Sequence, residues 1–281
     1  MPISKPTISV LMAVYDTPIK YLDVSIASVL QQSLLSLEFI IVDDGSNSVT
    51  GNQLELWARR DHRIRLLKLP KNLGLTKALN LGLQIASGNF LARQDADDIS
   101  GAHRFAAQLE YLTLNPEVDA VATDVILIDL DGSKVGYMKI DPKLRGLKKR
   151  NLLVHGSMLF RRRVFDLLVG YDDRMKLSQD YELYLRMIVL HSMKIGVLSK
   201  DHYFLRMHSE SLSNRKMMQQ LYYAVMAKKL SKLNISRFNP NLAFWITLLF
   251  DYLFVHHLFI GAILSRVSYF SHKKTSSTIL R

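Results

Sequence analysis

Three aspartates, Asp95, Asp97 and Asp98, stand within four residues, directly after a short apolar run. Like charges this close repel each other, which raises the pKa of their carboxyl groups unless a cation offsets them. Carboxylate oxygens without His or Cys partners suit Mg²⁺ or Mn²⁺, and such ions leave coordination positions open for substrate phosphates. The cluster therefore predicts a divalent metal site that is completed by a nucleotide diphosphate.

Two further polar clusters also follow apolar runs. Tyr15 and Asp16 come after the run at Thr7–Val14, and Asp43 and Asp44 come after a second run at residues 38–42. In an open parallel sheet, ligands bind beyond the carboxyl ends of the strands. The three clusters thus favour one shared cleft, although any single turn carboxylate could merely cap a helix.

The segments between these clusters alternate between strand and helix patterns. Helical spacing of apolar residues predicts helices over Tyr21–Gln32, Leu54–Arg60 and Leu75–Ala86. The last of these helices ends at Ser87-Gly88, which is a helix-capping signal. Strands are predicted at Ile64–Leu69 and Asn89–Ala92. Such alternation is typical of βαβ units and predicts an α/β fold with a mostly parallel sheet. The glycine-rich fingerprints of dinucleotide dehydrogenases and P-loop NTPases do not occur, which disfavours both classes.

Composition narrows the function classes further. The chain has 281 residues, 48% of them apolar, and no Cys, which excludes disulfides, zinc–thiolate sites and thiol nucleophiles. Residues 1–142 hold 13 Lys and Arg against 17 Asp and Glu, whereas residues 143–281 hold 24 against 8. A basic half suits nucleic acid, an anionic membrane or a phosphorylated substrate, or it is simply a solvated surface. The first residues lack a signal-peptide pattern, so we expect a protein that is not secreted.

Several segments together resemble the inverting family 2 glycosyltransferases with the GT-A fold. They are, in order, TISVLMAVYD (7–16), FIIVDDGS (39–46), NLGLTKALNLGLQIASGNF (72–90) and ARQDADD (92–98), followed by HGSMLFRR (155–162), QDYELYLRM (179–187) and FLRMHSESLS (204–213). The resemblance implies a Rossmann-like, mostly parallel sheet flanked by helices. It implies a nucleotide-sugar-binding half at 1–104 and an acceptor-binding half at 105–215, and the composition of residues 216–281 predicts a helical appendage that associates with membranes or forms an oligomer interface. The D-A-D-D form is similar to the bacterial branch that builds surface polysaccharides of the O-antigen or capsule type.

The resemblance implies donor-binding roles in the first half. Tyr15 would stack on the nucleotide base, with the backbone from Ala13 around it. Asp44 would accept a hydrogen bond from the ring N–H of the base, while Asp43 would support the loop. Lys77 stands where the family often has a basic residue near the donor.

The same resemblance implies the metal ligands and the substrates. Asp95, Asp97 and Asp98 would form the D-x-D motif that holds Mn²⁺ or Mg²⁺, with Asp97 and Asp98 nearest the diphosphate, and Asn80 would lie near the donor. A UDP-sugar is the default donor, and the family expectation is a β-linkage from an α-donor. The acceptor would be a saccharide, free or lipid-linked.

Asp180 stands where the family has its catalytic base. Gln179 replaces the frequent Glu before it, which removes a like charge that would raise the pKa of the base. From the residues alone, a carboxylate at the start of a helix is the favoured interpretation, because an amphipathic helix begins here.

Two histidines and one arginine are weaker candidates. His155 precedes an apolar run and would lie in the acceptor cleft, and His208 could approach the metal or the diphosphate. A lone His is more often a hydrogen-bonded structural residue than a ligand. Arg104 follows the acidic motif and either closes the cleft or forms a surface ion pair.

The composition changes after Leu212. Lys216–Leu233 predicts a helix packed on the domain, and Leu242–Leu264 is a mostly apolar run of 23 residues containing Asp251. A membrane span needs about 20 apolar residues, but one central Asp costs about 2.5–3.5 kcal/mol. We therefore expect an interfacial or shallowly inserted helix, with an oligomer interface as the alternative. Flanking Lys and Arg suit an anionic leaflet.

The protein is thus expected at the cytoplasmic face of the cell membrane, without a nucleic-acid partner and with homo-oligomerisation left open. The alternative is a protein that binds nucleic acid or anionic membranes without transferase activity. Net charge supports this alternative, but no basic–aromatic nucleic-acid motif accompanies the charge. A catalytically silent scaffold of the same fold is a further alternative, which the intact aspartates disfavour.

Overall fold

The computed structural model describes residues 6–207 and 217–233. The described strands are β1 (Ile8–Val14), β2 (Leu37–Asp43), β3 (Ile64–Lys68), β4 (Phe90–Arg93), β5 (Ile99–Ser100), β6 (Ala120–Ile128), β7 (Lys134–Met138), β8 (Leu159–Arg161) and β9 (Ile195–Arg206). The described helices are α1 (Ile19–Leu30), α2 (Ser48–Arg60), α3 (Leu75–Ile85), α4 (Arg104–Leu114), α5 (Arg162–Leu168), α6 (Gln179–Leu185) and α7 (Met217–Leu233). A 3₁₀ turn occupies His155–Ser157, and a π-helical turn follows α6.

All of these strands form one mixed sheet in the order β3-β2-β1-β4-β8-β6-β9-β5, with β7 paired to β6. Strands β3, β2, β1 and β4 are mutually parallel, and so are β6 and β9. Val14 pairs with Asp43, and Leu11 pairs with Arg93. The carboxyl ends of β1, β2 and β4 therefore meet at one edge, which confirms the predicted α/β fold with a mostly parallel sheet.

Helices cover both faces of the parallel half of the sheet. Along β1, Val10 and Met12 belong to one buried cluster with Ile26 of α1, whereas Leu11 belongs to a second cluster with Leu79 of α3. Side chains of a strand alternate between the two faces of a sheet. A strand covered on both faces reads as a continuous apolar run, as the segment TISVLMAV does.

The boundaries of the predicted helices differ from the observed ones, and α1 lies two residues earlier in the chain than predicted. Helix α2 begins at Ser48 rather than Leu54, because the Asn47 side chain accepts a hydrogen bond from the Thr50 amide and caps the helix. Helix α3 ends at Ile85 and continues into extended backbone, so the Ser87-Gly88 capping prediction is wrong. Gly88 instead lies against β1, where an added Cβ would come within 2.5 Å of the Ser9 nitrogen.

Helix α7 confirms the helix predicted over Lys216–Leu233. Ala227 of this helix is buried in the core cluster that includes α3 and α6, and Tyr223 and Leu230 pack against the same cluster. The Ser178 hydroxyl, directly before α6, donates to the Gln220 carbonyl over 3.1 Å. Helix α7 therefore supports the segment that presents Asp180.

Two predictions lie outside the described residues, namely the apolar run Leu242–Leu264 and His208. Within the part of the chain that the structure describes, every helix is too short or too polar to cross a membrane.

Candidate active site

The loops after β1 and β2 are joined to each other at the sheet edge. The Asp16 carboxylate accepts hydrogen bonds from the backbone and side-chain nitrogens of Asn47, over 2.7 and 2.8 Å. Asp16 itself has a positive φ of 49°, which turns the chain sharply after Tyr15. Tyr15 remains 53% exposed at the end of β1, beside the half-buried Ala13. An exposed aromatic ring at this place can stack on a nucleotide base, as the resemblance implies.

The two aspartates after β2 are buried and have different backbone partners. Asp43 accepts a hydrogen bond from the Ser46 amide over 2.9 Å and so holds the turn. Asp44 accepts hydrogen bonds from the Leu73 and Gly74 amides over 2.7 and 2.9 Å, which ties this turn to the start of α3. Each carboxylate oxygen keeps a second lone pair. Asp44 can therefore still accept a base N–H.

Helix α3 presents the two other residues expected near the donor in different ways. Lys77 is exposed in the first turns of the helix. Asn80 donates to the Tyr171 carbonyl and to the Asp173 carboxylate over 2.9 and 2.7 Å, and it accepts from the Tyr171 amide. All of its polar atoms thus contact the segment before α6, so Asn80 fastens that segment to α3.

The acidic turn after β4 holds its three aspartates in unequal environments. Asp95 forms an ion pair with Arg93 over 2.6 Å and is one third exposed, and Asp97 is half-buried. Asp98 is buried, with one carboxylate oxygen accepting from the Tyr203 hydroxyl and the other from the Arg206 amide, both over 2.8 Å. Burial and the neighbouring carboxylates raise the pKa of Asp98 well above its usual range and also raise the pKa of Asp95.

The carboxyl-terminal end of β9 fixes this turn. The Arg206 guanidinium donates to the Asp97 carbonyl over 2.9 Å and lies 4.5 Å from the ring centre of Tyr21. Sequence reasoning missed the roles of Tyr203 and Arg206, because both residues contact a turn about 100 positions earlier in the chain. The motif FLRMH was the only local signal for them.

Arg104 lies beneath the acidic turn and is fully buried. Its guanidinium donates to the carbonyls of Arg93 and Met158 over 2.8 and 3.2 Å and to the Ser100 hydroxyl over 2.7 Å. Burial lowers its pKa to about 10, which leaves it protonated at neutral pH. Both expectations for Arg104 are therefore wrong: it neither closes the cleft nor forms a surface ion pair, because it anchors the turn from below.

The carboxylates of the acidic turn suit a divalent ion that takes some of its ligands from the protein and the others from a bound substrate. Within residues 6–207 and 217–233, no three His, Cys, Asp or Glu side chains converge to form a closed metal cage. Asp95 and Asp97 supply hard oxygen donors next to each other, whereas both oxygens of Asp98 accept protein hydrogen bonds. Mg²⁺ and Mn²⁺ commonly use one or two carboxylates together with phosphate oxygens. The residues present suit such an ion, with Asp98 orienting the turn.

Asp180 lies in the first turn of α6 and is half-buried. Its carboxylate accepts a hydrogen bond from the Asn151 side-chain amide over 2.7 Å. Burial raises its pKa, hydrogen bonds from Tyr181 and Asn151 oppose that rise, and the charge of Asp95 adds to it. The helix that presents Asp180 is linked to the acidic turn by the 3₁₀ turn His155–Ser157, because His155 is hydrogen-bonded to Tyr184 of α6 and Gly156 packs against Asp95.

His155 is held by two tyrosine hydroxyls, one of them on α6. Its Nδ1 is hydrogen-bonded to the Tyr184 hydroxyl over 2.7 Å and its Nε2 to the Tyr171 hydroxyl over 2.8 Å. Burial and the charge of Arg93 hold its pKa well below the usual value, which keeps the imidazole neutral. Both ring nitrogens therefore bind tyrosines, and the contact is structural. The tyrosine partners were missed because they lie 16 and 29 residues away.

Gly156 lets this turn approach the acidic motif. A Cβ at this position would overlap the Tyr203 hydroxyl and come within 2.8 Å of the Asp95 carboxylate. The HGS segment thus packs directly against the proposed metal ligand. Only glycine fits this contact without a shift of its neighbours.

The mixed sheet, with an acidic turn at the carboxyl end of β4, has the architecture of the GT-A glycosyltransferases. Residues 9–168 match the domain described as Glycosyl transferase family 2, and the chain belongs to this family. Membership confirms the predicted enzyme class and disfavours the nucleic-acid-binding alternative.

The relatives span archaea and bacteria. The chain is 31% identical over 262 residues to an uncharacterised glycosyltransferase of Methanocaldococcus jannaschii, covering 91% of this chain and 89% of the relative. It is 31% identical over 188 residues to the UDP-Gal:alpha-D-GlcNAc-diphosphoundecaprenol beta-1,3-galactosyltransferase of Escherichia coli, covering 64% and 67% of the two chains.

Two solved structures share the fold at low sequence identity. S. aureus TarS 1-349 in complex with UDP superposes with a TM-score of 0.62 and 18% identity, over 81% of this chain and 66% of that chain. The mannosyltransferase PcManGT from Pyrobaculum calidifontis, in complex with GDP-Man and Mn²⁺, gives a TM-score of 0.62 and 16% identity, over 85% and 67%. At this level of identity the likeness establishes the fold alone.

Proposed function

We propose that this protein is an inverting, divalent-metal-dependent glycosyltransferase. It moves a sugar from a nucleotide sugar, by default a UDP-sugar, to a lipid-linked saccharide in the synthesis of O-antigen- or capsule-type polysaccharide. The observation that carries the proposal is that one turn, His155–Ser157, joins the two parts of the site: Gly156 packs against Asp95 of the acidic turn, and His155 is hydrogen-bonded to Tyr184 of α6, the helix whose first turn holds Asp180. A base beside a diphosphate site is what a single displacement at the anomeric carbon requires.

Each residue then has a chemical task. Tyr15 stacks on the base, Asp44 accepts its ring N–H, and Lys77 lies near the donor phosphates. Asp180 takes the proton of the acceptor hydroxyl, whose oxygen forms the new bond to the anomeric carbon while the bond from that carbon to the donor phosphate breaks and the nucleoside diphosphate leaves with the electron pair. A raised pKa strengthens a carboxylate as a base near neutral pH, because an effective general base has a pKa near the working pH.

Asp95 and Asp97 would hold the divalent ion, with Asp98 supporting the turn. When bound, Mn²⁺ or Mg²⁺ neutralises the charge that develops on the leaving diphosphate. The Arg93 guanidinium orients Asp95 through its 2.6 Å ion pair. The Mn²⁺ and GDP-Man present in the Pyrobaculum structure, and the UDP in the TarS structure, support this assignment.

The substrate proposal draws on the relatives. The name of the Escherichia coli relative states a UDP-sugar donor and an acceptor joined to a lipid through a diphosphate. Another relative from the same organism, 32% identical over 189 residues, is named as an O-antigen biosynthesis glycosyltransferase. These names support a lipid-linked acceptor for this chain.

Nucleotide-sugar binding tests the proposal directly. We expect one nucleotide sugar in a screen to raise the thermal unfolding temperature in the presence of Mn²⁺ and not in EDTA. Asp97→Ala should abolish this shift, whereas Asp131→Ala, an exposed aspartate of the β6–β7 turn, should retain it. A metal-dependent shift that persists in Asp97→Ala would contradict the metal assignment.

We further propose that residues 216–281 associate with the cytoplasmic membrane surface through the apolar run at Leu242–Leu264. Its basic flanks suit anionic lipid headgroups. Truncation after Arg237 should release the protein from anionic vesicles and leave donor hydrolysis intact. A truncated protein that still sediments with the vesicles would exclude this role of the run.

A further inference from the structure

A strongly basic segment leads directly to the proposed base. Residues 143–150, here called the basic turn segment, contain Lys143, Arg145, Lys148, Lys149 and Arg150, and all five are exposed. Arg145 pairs with Asp141 over 2.8 Å. Among residues 6–207 and 217–233, the other four cations have no carboxylate partner. Four unneutralised charges within eight residues form a concentrated anion-attracting surface.

The segment is folded rather than merely charged. Successive turns are closed by backbone hydrogen bonds from Leu144 to Asp141, from Leu147 to Leu144, and from Lys149 to Gly146, over 2.8, 3.0 and 2.7 Å. Leu147 is 2% exposed and Leu144 packs against the same core cluster. The apolar side chains thus anchor the turns, and the cations project from an ordered support.

The position of the segment links it to the acceptor side of the cleft. Arg150 immediately precedes Asn151, whose side chain contacts the Asp180 carboxylate over 2.7 Å. The Asn151 side chain is itself oriented by a hydrogen bond from the Leu153 amide over 3.2 Å. Arg150 therefore lies one residue from a group that touches the proposed base.

This placement matches the chemistry of an acceptor whose sugar is joined to a lipid through a diphosphate. When a hydroxyl of such a sugar lies at Asp180, the diphosphate at its anomeric carbon lies about one sugar ring away. Its negative charges would otherwise face Asp180 and the acidic turn, which repel them. Cations at residues 148–150 compensate for that repulsion.

We infer that the basic turn segment binds the diphosphate of the lipid-linked acceptor, and that it thereby holds the acceptor sugar against Asp180. The inference rests on the proposed transferase function. The occupant is the acceptor diphosphate itself, and anionic lipid headgroups are the competing occupant that the experiment must separate.

The test is a calorimetric titration of the full chain with pentyl diphosphate in EDTA, without vesicles. EDTA removes the divalent ion through which the donor site would bind a diphosphate. The variant Lys149→Gln/Arg150→Gln removes two charges from the segment. The control Arg59→Gln/Arg60→Gln removes two exposed charges at the end of α2. We expect the dissociation constant to rise about tenfold in the first variant and less than twofold in the control.

Other results would overturn the inference. Unchanged affinity in both variants, or the same loss in both, would show that the segment is not the diphosphate site. A Lys149→Gln/Arg150→Gln protein that loses only its sedimentation with phosphatidylglycerol vesicles would identify lipid headgroups as the occupant instead. Mn²⁺-dependent stabilisation by a nucleotide sugar, measured on the same proteins, separates the two proposals. If the nucleotide sugar does not stabilise the wild type, the proposed transferase function is wrong. The titration with pentyl diphosphate tests only whether the basic turn segment binds the diphosphate.

Discussion

Replacing Asn151 with Ala should shift the pH dependence of transfer towards higher pH. Burial and the charge of Asp95 raise the pKa of Asp180, and the hydrogen bond from Asn151 opposes that rise. Hydrogen bonds to charged groups are worth about 1.5–3 kcal/mol when buried. Because Asn151 is exposed, we assign its hydrogen bond to Asp180 a smaller free energy of about 1 kcal/mol. Losing that bond would raise the pKa of Asp180 by about 0.7 unit.

The sign follows from the role of the base. Asp180 must be ionised to accept the proton, so activity falls as the pH drops through its pKa. Removing a group that stabilises the ionised form raises that pKa further, and the acidic limb moves to higher pH. The activity at high pH, where Asp180 is ionised in both proteins, should change much less. Tyr171 and Tyr184 also face Asp180, but burial and its charge raise the pKa of both, so they stay neutral across this range.

The assay is kcat/KM for sugar transfer against pH in wild type, Asn151→Ala and Asn151→Asp. Asn151→Asp adds a like charge beside Asp180 and should shift the limb further than Asn151→Ala does. Asn52→Ala, an exposed asparagine on α2, serves as the control. An acidic limb that stays in place in both Asn151 variants, or that moves equally in Asn52→Ala, would refute the assignment of Asp180 as the titrating base.

Three further predictions concern the scaffold of the site. Burial raises the pKa of Glu38, but hydrogen bonds from Ser9, Arg65 and Ser87 outweigh that effect and hold the pKa below its usual value. Its stabilisation is therefore present above its unfolded pKa and is lost as the pH falls through the folded value. Urea unfolding should show Glu38→Gln about 1–2 kcal/mol less stable at pH 7, with a much smaller difference near pH 3. Gly156→Ala should lower the free energy of unfolding by about 1–3 kcal/mol in thermal unfolding, because the added methyl overlaps the Tyr203 hydroxyl. An unchanged unfolding temperature would contradict the close contact between Gly156 and Tyr203. Asp44→Ala should lower the free energy of unfolding in urea by about 1 kcal/mol, since two amides at the start of α3 lose their acceptor. The same substitution should weaken nucleotide binding. Unchanged stability would show that water replaces the carboxylate.

The parallel half of the fold was predictable because its signals are local. Apolar runs bounded by polar turns located β1, β2 and β4 to within one or two residues. Because ligands bind beyond the carboxyl ends of parallel strands, the polar clusters that follow these strands were predicted to lie together. The helix cap at Asn47 was equally local, but Asn47 stands seven residues before Leu54, where the apolar spacing of the predicted helix begins. The prediction therefore started α2 too late.

The part of the site that could not be predicted depends on contacts between distant segments. Tyr203 reaches Asp98 across 105 positions, and Asn80 reaches Tyr171 across 91. Arg104 was expected to close the cleft or to form a surface ion pair, because it follows the acidic motif in the sequence. Its burial depends on hydrogen bonds to the carbonyls of Arg93 and Met158, and no pattern in the sequence predicts these contacts.

Sugar transfer by Asp180→Asn is the decisive measurement of whether Asp180 is the base, because the substitution keeps the shape of the side chain and removes only its basicity. With the nucleotide sugar that the binding screen identifies, we expect turnover to fall about 10²–10⁴-fold and the Mn²⁺-dependent thermal stabilisation by the donor to stay unchanged. Turnover within a few-fold of wild type would contradict this role of Asp180, and so would a parallel loss of donor stabilisation.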